Sequence, residues 1–382
     1  MKIDYKKRIF TLGFTFLFSI CCFAQESKPR LPPDDETIKV FTEEVKLNVT
    51  AQSVYGKSVP KLTAGDLLIV ESGDPQTITS IRRVPASVLI LIDTGGNLNF
   101  AKTIDKSRLT AQILVEKISA ENSLAVMQAY DKIETVSDWT SDKEKLNVDL
   151  EKKLFGGNRS RFSGAINAAI KQFNSRPLEN RHIIYIGDGL DSVATSEERE
   201  NALQNLLAAN ITFHFIGYNK LEAIRAEKAA RLIQIGEAKE LDRVPDEVLE
   251  GIINSLPRPM KDNFRRFMKA ERLVIFRLDR KQRNLAKQKR EDWIKSQAEL
   301  ENVSKDTGGV SQSPEELQTM WKLALEIATA IDSNYVITYT PKKPFAESPV
   351  GEARKIRVSS YLDGVEIRSR EKIVPVSPLE QK

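Results

Sequence analysis

The feature that most constrains the fold is an uninterrupted apolar run from Ser87 to Asp93, which ends in Thr94-Gly95-Gly96. A short apolar run bounded by turn-forming residues is typical of a strand buried on both faces of a parallel sheet. In such sheets helices cover both faces. The run therefore predicts an α/β domain with this segment near its centre.

Segments with a helical period alternate with apolar strands on the C-terminal side of this run. The predicted helices lie near residues 101–118, 163–174 and 196–209, and the predicted strands at 123–130, 182–187 and 211–218. Such alternation indicates a doubly wound, mostly parallel sheet of the Rossmann type. Right-handed crossovers place the loops after the strands along one edge, where folds of this class bind ligands.

The rest of the chain divides by changes in composition. Residues 40–84 carry short alternating stretches separated by turn formers, which predict a small β-domain. A long, charged and mostly helical stretch at 220–297 interrupts the alternation of strands and helices, and we interpret it as an insertion. The full division is a signal peptide (1–24), a flexible leader (25–39), the small β-domain (40–84), the α/β domain (85–219 and 298–340), a helical basic insertion (220–297) and C-terminal β-strands with a tail (341–382).

The N-terminus has the pattern of a cleaved secretory signal. Basic residues up to Arg8 precede an uncharged run from Ile9 to Ala24, which is shorter than the about 20 residues that a bilayer span needs. An uncleaved anchor is the alternative. We expect a secreted or periplasmic protein. Both cysteines, Cys21 and Cys22, lie inside the signal, so the mature chain offers no thiol for catalysis, zinc binding or disulfides.

Basic charge is concentrated in one segment. The whole chain has a net charge of +5, and its near-neutral body argues against a nucleic-acid-binding surface. Residues 258–295 hold 14 Lys and Arg against five acids, with aromatic and aliphatic residues between them. This pattern suits peripheral contact with an anionic membrane or an acidic partner, and it also suits a solvated helical arm packed on the sheet.

Three loops resemble those of a known family in their order and position. They are Ile92-Asp93-Thr94-Gly95-Gly96-Asn97, Ser160 within residues 156–162, and Gly187-Asp188-Gly189. These resemble the metal-site loops of a von Willebrand factor A domain. Flanking segments at 56–78 and 306–339 resemble the β-module and the closing helix and strand of the bacterial exported proteins called von Willebrand factor A-like (Acidobacterial type). The resemblance covers roughly residues 40–219 and 298–374.

The resemblance implies a metal-ion-dependent adhesion site for Mg²⁺ or Mn²⁺, at which a carboxylate of a protein partner completes the coordination. Its ligands here would be Asp93, Asn97, Ser160 and Asp188. Both aspartates match the family pattern, and Ser160 supplies the hydroxyl of its usual threonine. Gly95 and Asn97 replace its two serines, which would leave a looser site that binds metal more weakly. Alternatively, the two aspartates only accept hydrogen bonds from loop amides and Ser160.

Other motifs give little support to catalysis. His182 and His214 lie near the start or middle of predicted strands, whereas a hydrolase triad needs its histidine at a site-facing loop beside the nucleophile. The glycine pairs at 95–96 and 156–157 lack the flanking residues of a phosphate-binding loop. We therefore predict that the chain is not an enzyme and that it binds no nucleotide cofactor.

Together these patterns predict an exported, non-enzymatic protein of the adhesion or protein-interaction type. A partner would bind at the edge formed by the loops of Asp93, Ser160 and Asp188. It would either present an acidic residue that completes the coordination of a weakly held metal ion, or bind without metal through Thr94, Asn99 and Arg161. The alternative function is a structural or assembly factor of the cell envelope, which would act without metal through the basic insertion.

Overall fold

The computed structural model describes residues 43–59, 61–96, 102–224, 227, 250, 253–254, 261, 280–312, 314–345 and 353–374. Its elements alternate between strands and helices in the middle of the chain. The strands are β1 (Val45–Ser53), β2 (Leu67–Glu71), β3 (Asp74–Gln76), β4 (Ile78–Arg82), β5 (Ser87–Asp93), β6 (Ser123–Ala129), β7 (Ile133–Thr140), β8 (Arg181–Gly187), β9 (Thr212–Gly217), β10 (Ser311–Gln312), β11 (Asn334–Tyr339), β12 (Arg354–Ser360), β13 (Val365–Ser369) and β14 (Lys372–Ile373). The helices are α1 (Ile104–Lys117), α2 (Lys143–Lys153), α3 (Phe162–Gln172), α4 (Ser196–Ala208), α5 (Arg280–Asp306) and α6 (Leu317–Asp332).

A six-stranded sheet lies at the centre of the α/β domain, in the order β10-β9-β8-β5-β6-β7. All neighbours pair in parallel except β6 and β7, which are antiparallel. The strand order reverses direction between β5 and β8, which places their carboxyl ends side by side at a switch point. The predicted doubly wound, mostly parallel α/β sheet is confirmed.

The apolar run of β5 is buried on both faces because successive side chains point to opposite sides of a strand. Val88, Ile90 and Ile92 join a core with residues of α1, α2 and α6. Leu89 and Leu91 join a second core with residues of α3, α4 and α5. Helices thus cover both faces of the sheet, as the unbroken run predicts.

The strands outside the central sheet form two antiparallel sheets around a third apolar core, an arrangement that we call the β-sandwich. One sheet has the order β13-β1-β11-β4 and the other β14-β12-β2-β3. The strands of residues 40–84 therefore combine with β11 and with the strands of the C-terminal segment, which the sequence division places apart from them. Alternation specifies which face of a strand is buried, but it does not specify a pairing partner almost 300 residues away.

Two elements of the central domain, β7 and α2, are not predicted from the sequence. Strand β7 is an edge strand whose pairing with β6 is interrupted by register shifts, so its burial does not alternate regularly. Helix α2 begins after Asp142, whose carboxylate accepts a hydrogen bond from the Lys145 amide, and it buries only Leu146, Asp149 and Leu150. A mostly charged helix gives a weak periodic signal.

Some predictions fall on residues that the structure does not describe. These include the signal peptide (1–24), the leader (25–39) and most of the insertion (220–297). Helix α5 is described, and it runs without a break across the predicted end of the insertion at residue 297. Within the described part of the chain, no helix combines the length and the apolar character that crossing a bilayer requires.

Candidate functional site

Two carboxylates meet where neighbouring parallel strands end. Asp93 is the last residue of β5, and Asp188 directly follows β8, which pairs with β5. Both side chains are buried, with Asp93 only 2% exposed. Two carboxylates buried at adjoining strand ends repel each other, so a positive charge beside them is needed to keep both ionised.

Lys102 supplies that charge. Its Nζ lies 2.8 Å from Asp93 Oδ2 and 3.0 Å from Asp188 Oδ2, and the residue is 1% exposed. Lys102 directly precedes Thr103, the N-cap of α1, and its backbone amide donates to Glu222 Oε1 at 2.8 Å. The helix start therefore fixes the position from which the lysine side chain reaches the two strand ends. No sequence pattern described above identifies Lys102 as a site residue.

The remaining carboxylate oxygens are also satisfied. Asp93 Oδ1 accepts a hydrogen bond from the Gly95 amide at 3.0 Å, and Asp188 Oδ1 accepts one from the Leu190 amide at 3.1 Å. The Tyr185 hydroxyl donates to Asp93 Oδ2 at 3.1 Å. Loop amides thus bind both aspartates, as one of the two sequence interpretations expects, but the other main donor is Lys102.

Burial and charge act in opposite directions on these groups. Burial raises the pKa of Asp93 to about 7, although the neighbouring Lys102 opposes the rise. Burial by itself lowers the pKa of Lys102, but the carboxylates of Asp188 and Asp93 outweigh it and hold that pKa above its ordinary value. Burial, followed by the charge of Asp93, raises the pKa of Tyr185 well above its usual value. The lysine therefore stays an ammonium at physiological pH.

The glycines after Asp93 are required by close packing. A Cβ at Gly95 would overlap the backbone carbonyl of Arg159 and would lie 2.9 Å from Tyr130 Cα. Gly96 has a φ of +76°, a conformation that favours glycine, and a Cβ there would lie 2.6 Å from Ser160 Oγ. The place of a serine Cβ at position 95 is occupied by backbone, so a serine there would require the backbone to shift.

The other predicted site residues differ in their burial and contacts, and two of them are not described. Ser160 is buried beside Gly96, and its amide and carbonyl pair with the side chain and amide of Ser192. Thr94 is fully buried, and Arg161 is half-buried and forms a backbone bridge with Asp191. Asn97 and Asn99 lie outside the described residues.

The described residues of the site do not fit a divalent cation. Mg²⁺ and Mn²⁺ need several oxygen ligands around an open position, whereas here an ammonium lies between the two aspartates. Position 95 has no hydroxyl and no space for one. In the part of the chain that the structure describes, no group of three or more His, Cys, Asp or Glu residues could hold a metal ion.

The two histidines lie in the sheet and away from these loops. His182 on β8 and His214 on β9 are buried, with Nδ1 of His182 3.0 Å from Nε2 of His214. Burial lowers the pKa of His182 to about 3. His182 also contacts Asn180 Oδ1 at 2.8 Å, and the Val310 amide donates to His214 Nδ1 at 3.0 Å. Their ring nitrogens are engaged in a buried network that holds strands together.

Restoring the serine of the family pattern should harm the protein. We expect Gly95→Ser to lower the free energy of unfolding by at least about 1–3 kcal/mol, because the new Cβ overlaps the Arg159 carbonyl and backbone must move. Urea unfolding measures the loss, and Gly65→Ser is the matched control, because Gly65 is exposed, also lacks a positive φ, and a Cβ there would meet nothing nearer than 3.9 Å. Unchanged stability of Gly95→Ser would show that the loop has room for a serine ligand.

The sheet topology, the switch point and the order of these loops define an α/β domain of the von Willebrand factor A type. A family model described as "von Willebrand factor type A domain" matches residues 88–190, and the chain contains such a domain. The match spans β5, the loop of Ser160 and the loop of Asp188. A comparison with curated proteins finds no match.

Several solved structures are similar to parts of this chain. One is an aerotolerance-related membrane protein from Bacteroides fragilis, with 13% identity, a TM-score of 0.37 and coverage of 65% of this chain and 99% of that chain. Another is the conserved hypothetical protein BatB from Bacteroides thetaiotaomicron, with 14% identity and the same TM-score and coverage. A manganese-loaded TRAP protein from Plasmodium vivax has 13% identity, a TM-score of 0.31 and coverage of 46% and 61%. These likenesses assign no role to any residue of this chain.

Proposed function

We propose that the chain is an exported, non-enzymatic protein-binding module that engages a protein partner through its loop edge, without a metal ion. The loop edge comprises residues 130–132, 155–161 and 190–194, which follow β6, α2 and β8. The observation that carries the proposal is that hydrogen bonds hold these loops in place, beside two strand-end aspartates that pair with an internal ammonium. Export rests on the N-terminal signal pattern.

The loop edge is braced by contacts between its own segments. Asp131 Oδ1 accepts hydrogen bonds from the amides of Asn158 and Arg159 at 3.1 and 3.0 Å. Asp191 Oδ2 accepts from the Ser163 amide at 2.7 Å, and Ser160 pairs with Ser192. A surface fixed before binding loses less conformational entropy when a partner docks.

The exposed side chains of this edge suit a protein partner. Phe155 is 55% and Val193 51% exposed, and Arg159 is exposed between them in sequence. Exposed aromatic and arginine side chains are frequent anchors in protein interfaces. Arg159 would pair with an acidic group of the partner, which is the role that the family pattern gives to metal. Arg161 and Asn99 remain predicted contacts, whereas the fully buried Thr94 would act by supporting the loop backbone.

The basic insertion offers a second surface that the structure describes only in part. Lys287, Lys289 and Arg290 are exposed on α5, so these charges face solvent. Trp293 is buried, and its carbonyl accepts a hydrogen bond from Asn219. This aromatic residue therefore packs on the α/β domain, and a contact of residues 258–295 with an anionic membrane or an acidic partner stays a prediction.

Matched surface variants test the loop edge. The mature chain would be cross-linked to envelope proteins of its source organism, and the adducts quantified by mass spectrometry with and without EDTA. We expect Val193→Asp and Arg159→Glu to reduce the adducts at least about tenfold, since hot-spot losses of 2 kcal/mol or more are typical. Leu178→Asp, which alters a 68% exposed leucine before β8 at the other end of the sheet, should leave them unchanged.

Three outcomes would contradict the proposal. Equal adduct yields for Val193→Asp and Leu178→Asp would show that the loop edge is not the binding surface. Loss of the adducts in EDTA would show that binding requires a metal ion. Loss upon deletion of 258–279 alone, with the edge variants unaffected, would favour the envelope-assembly function of the insertion.

A further inference from the structure

We infer that Lys102 is a built-in cation that excludes divalent metal from this domain, and that shortening its side chain exposes a divalent-cation site between Asp93 and Asp188. This inference goes beyond the proposed function, because it concerns the cation of the site and holds whether or not the loop edge binds a partner.

The position of the ammonium carries the first step. Nζ lies within hydrogen-bond distance of one oxygen from each carboxylate, at 2.8 and 3.0 Å. Because both oxygens lie within 3.0 Å of one nitrogen, a small inward movement of the two side chains would let them share a metal ion instead. The ammonium and a divalent ion therefore compete for one place, and the ammonium is covalently attached at high effective concentration.

Burial of the lysine makes displacement costly. Lys102 lies among the most buried large side chains of the described chain, and its backbone is fixed by Glu222 and by the start of α1. An incoming ion would have to drive this ammonium into surroundings without its two carboxylates, and an unpaired buried charge is strongly unfavourable. Two carboxylates are few ligands for a divalent ion, so we expect metal at physiological concentration to leave the ammonium in place.

The chemistry left after removal of the lysine suits a hard cation. Asp93 and Asp188 present carboxylate oxygens, and the Tyr185 hydroxyl lies 3.1 Å from Asp93 Oδ2. Mg²⁺ and Mn²⁺ bind proteins through one or two carboxylates while they keep several water ligands. Lys102→Ala provides space for such waters, whereas Lys102→Met removes the charge and keeps the space filled.

The test is thermal unfolding of the mature chain in EDTA, in millimolar MgCl₂ and in millimolar MnCl₂. We expect the melting temperature of the wild-type chain to be the same in all three, and calorimetry to show no saturable heat with either ion. Lys102→Ala should melt about 3–8 °C higher in MnCl₂ than in EDTA. Lys102→Met should show no such shift, and Lys102→Ala combined with Asp188→Asn should lose it.

The same variants keep the test decisive if Lys102→Ala is unfolded in EDTA. In that case MnCl₂ should restore its circular dichroism spectrum but should not restore that of the variant with Asp188→Asn. Failure of MnCl₂ to stabilise or refold Lys102→Ala would overturn the inference. Saturable binding of Mn²⁺ to the wild-type chain, abolished by Asp93→Ala, would overturn it as well.

Discussion

Lys102→Met is expected to lower the free energy of unfolding by about 3–5 kcal/mol, the usual cost of removing one partner from a buried ion pair. The substitution keeps an unbranched side chain of similar length, so little packing is lost. It leaves Asp93 and Asp188 buried at adjoining strand ends without their ammonium. Because the free energy of unfolding of a domain is only about 5–15 kcal/mol, this loss would be a large part of it. Urea unfolding monitored by circular dichroism measures it.

The deficit of Lys102→Met should grow as the pH rises. Burial already raises the pKa of Asp93 to about 7 while Lys102 opposes it, so removal of the lysine raises that pKa further. A carboxyl with a higher pKa in the folded chain than in the unfolded chain binds more protons when folded, so stability falls as pH rises between the two values. The wild-type chain loses stability in the same way up to about pH 7, so the deficit grows only above that pH and should be larger at about pH 8 than at about pH 5.

Two companion variants separate charge from packing. Lys372→Met removes a half-exposed ammonium that lies 2.7 Å from Asp306 Oδ2, and it should cost less than about 1 kcal/mol. Adding Asp93→Asn to Lys102→Met removes one of the stranded charges while an amide oxygen still accepts from Gly95, so it should recover part of the loss. If Lys372→Met and Lys102→Met cost the same, the buried ammonium contributes no special stability.

The fold of the central domain could be predicted because its signals are local. The apolar run of β5 indicates burial on both faces by itself, and the alternation of periods indicates crossovers. The β-sandwich was harder to predict, since β1 pairs with β11 and β2 pairs with β12 across most of the chain length. Each strand was recognisable, but antiparallel pairing over such separations leaves no mark in the local pattern.

The site was predicted in part for a related reason. Asp93 and Asp188 follow apolar strands, so their convergence follows from the topology. Lys102 lies just before the N-cap of α1, a position where lysine is normally exposed. Its burial depends on a carboxylate that is 86 residues further along the chain. Electrostatics could have pointed to Lys102. Two converging carboxylates that lack the two serine ligands of the family pattern need a positive charge, and a lysine just before the adjoining helix can supply it.

Glu71→Leu is the second substitution for which we expect a loss of about 3–5 kcal/mol, since it also breaks a buried ion pair. Glu71 on β2 is buried, and its Oε1 lies 2.7 Å from Nη1 of Arg354 on β12. Its Oε2 accepts a hydrogen bond at 2.9 Å from the hydroxyl of Tyr339, which ends β11 in the other sheet of the sandwich. One carboxylate thus joins the N-terminal strands to both of the later segments.

Matched variants at Glu315 show which part of this loss comes from burial. Glu315 is exposed and pairs with Lys220 at 2.6 Å, so Glu315→Leu should cost less than about 1 kcal/mol. Glu71→Gln keeps the shape and one acceptor, so its loss should lie between those of the two leucine variants. A loss for Glu71→Leu no larger than that for Glu315→Leu would mean that β2, β11 and β12 do not share a buried polar contact. Because the sandwich requires strands from both ends of the chain, the larger loss should also make residues 353–374 sensitive to limited proteolysis.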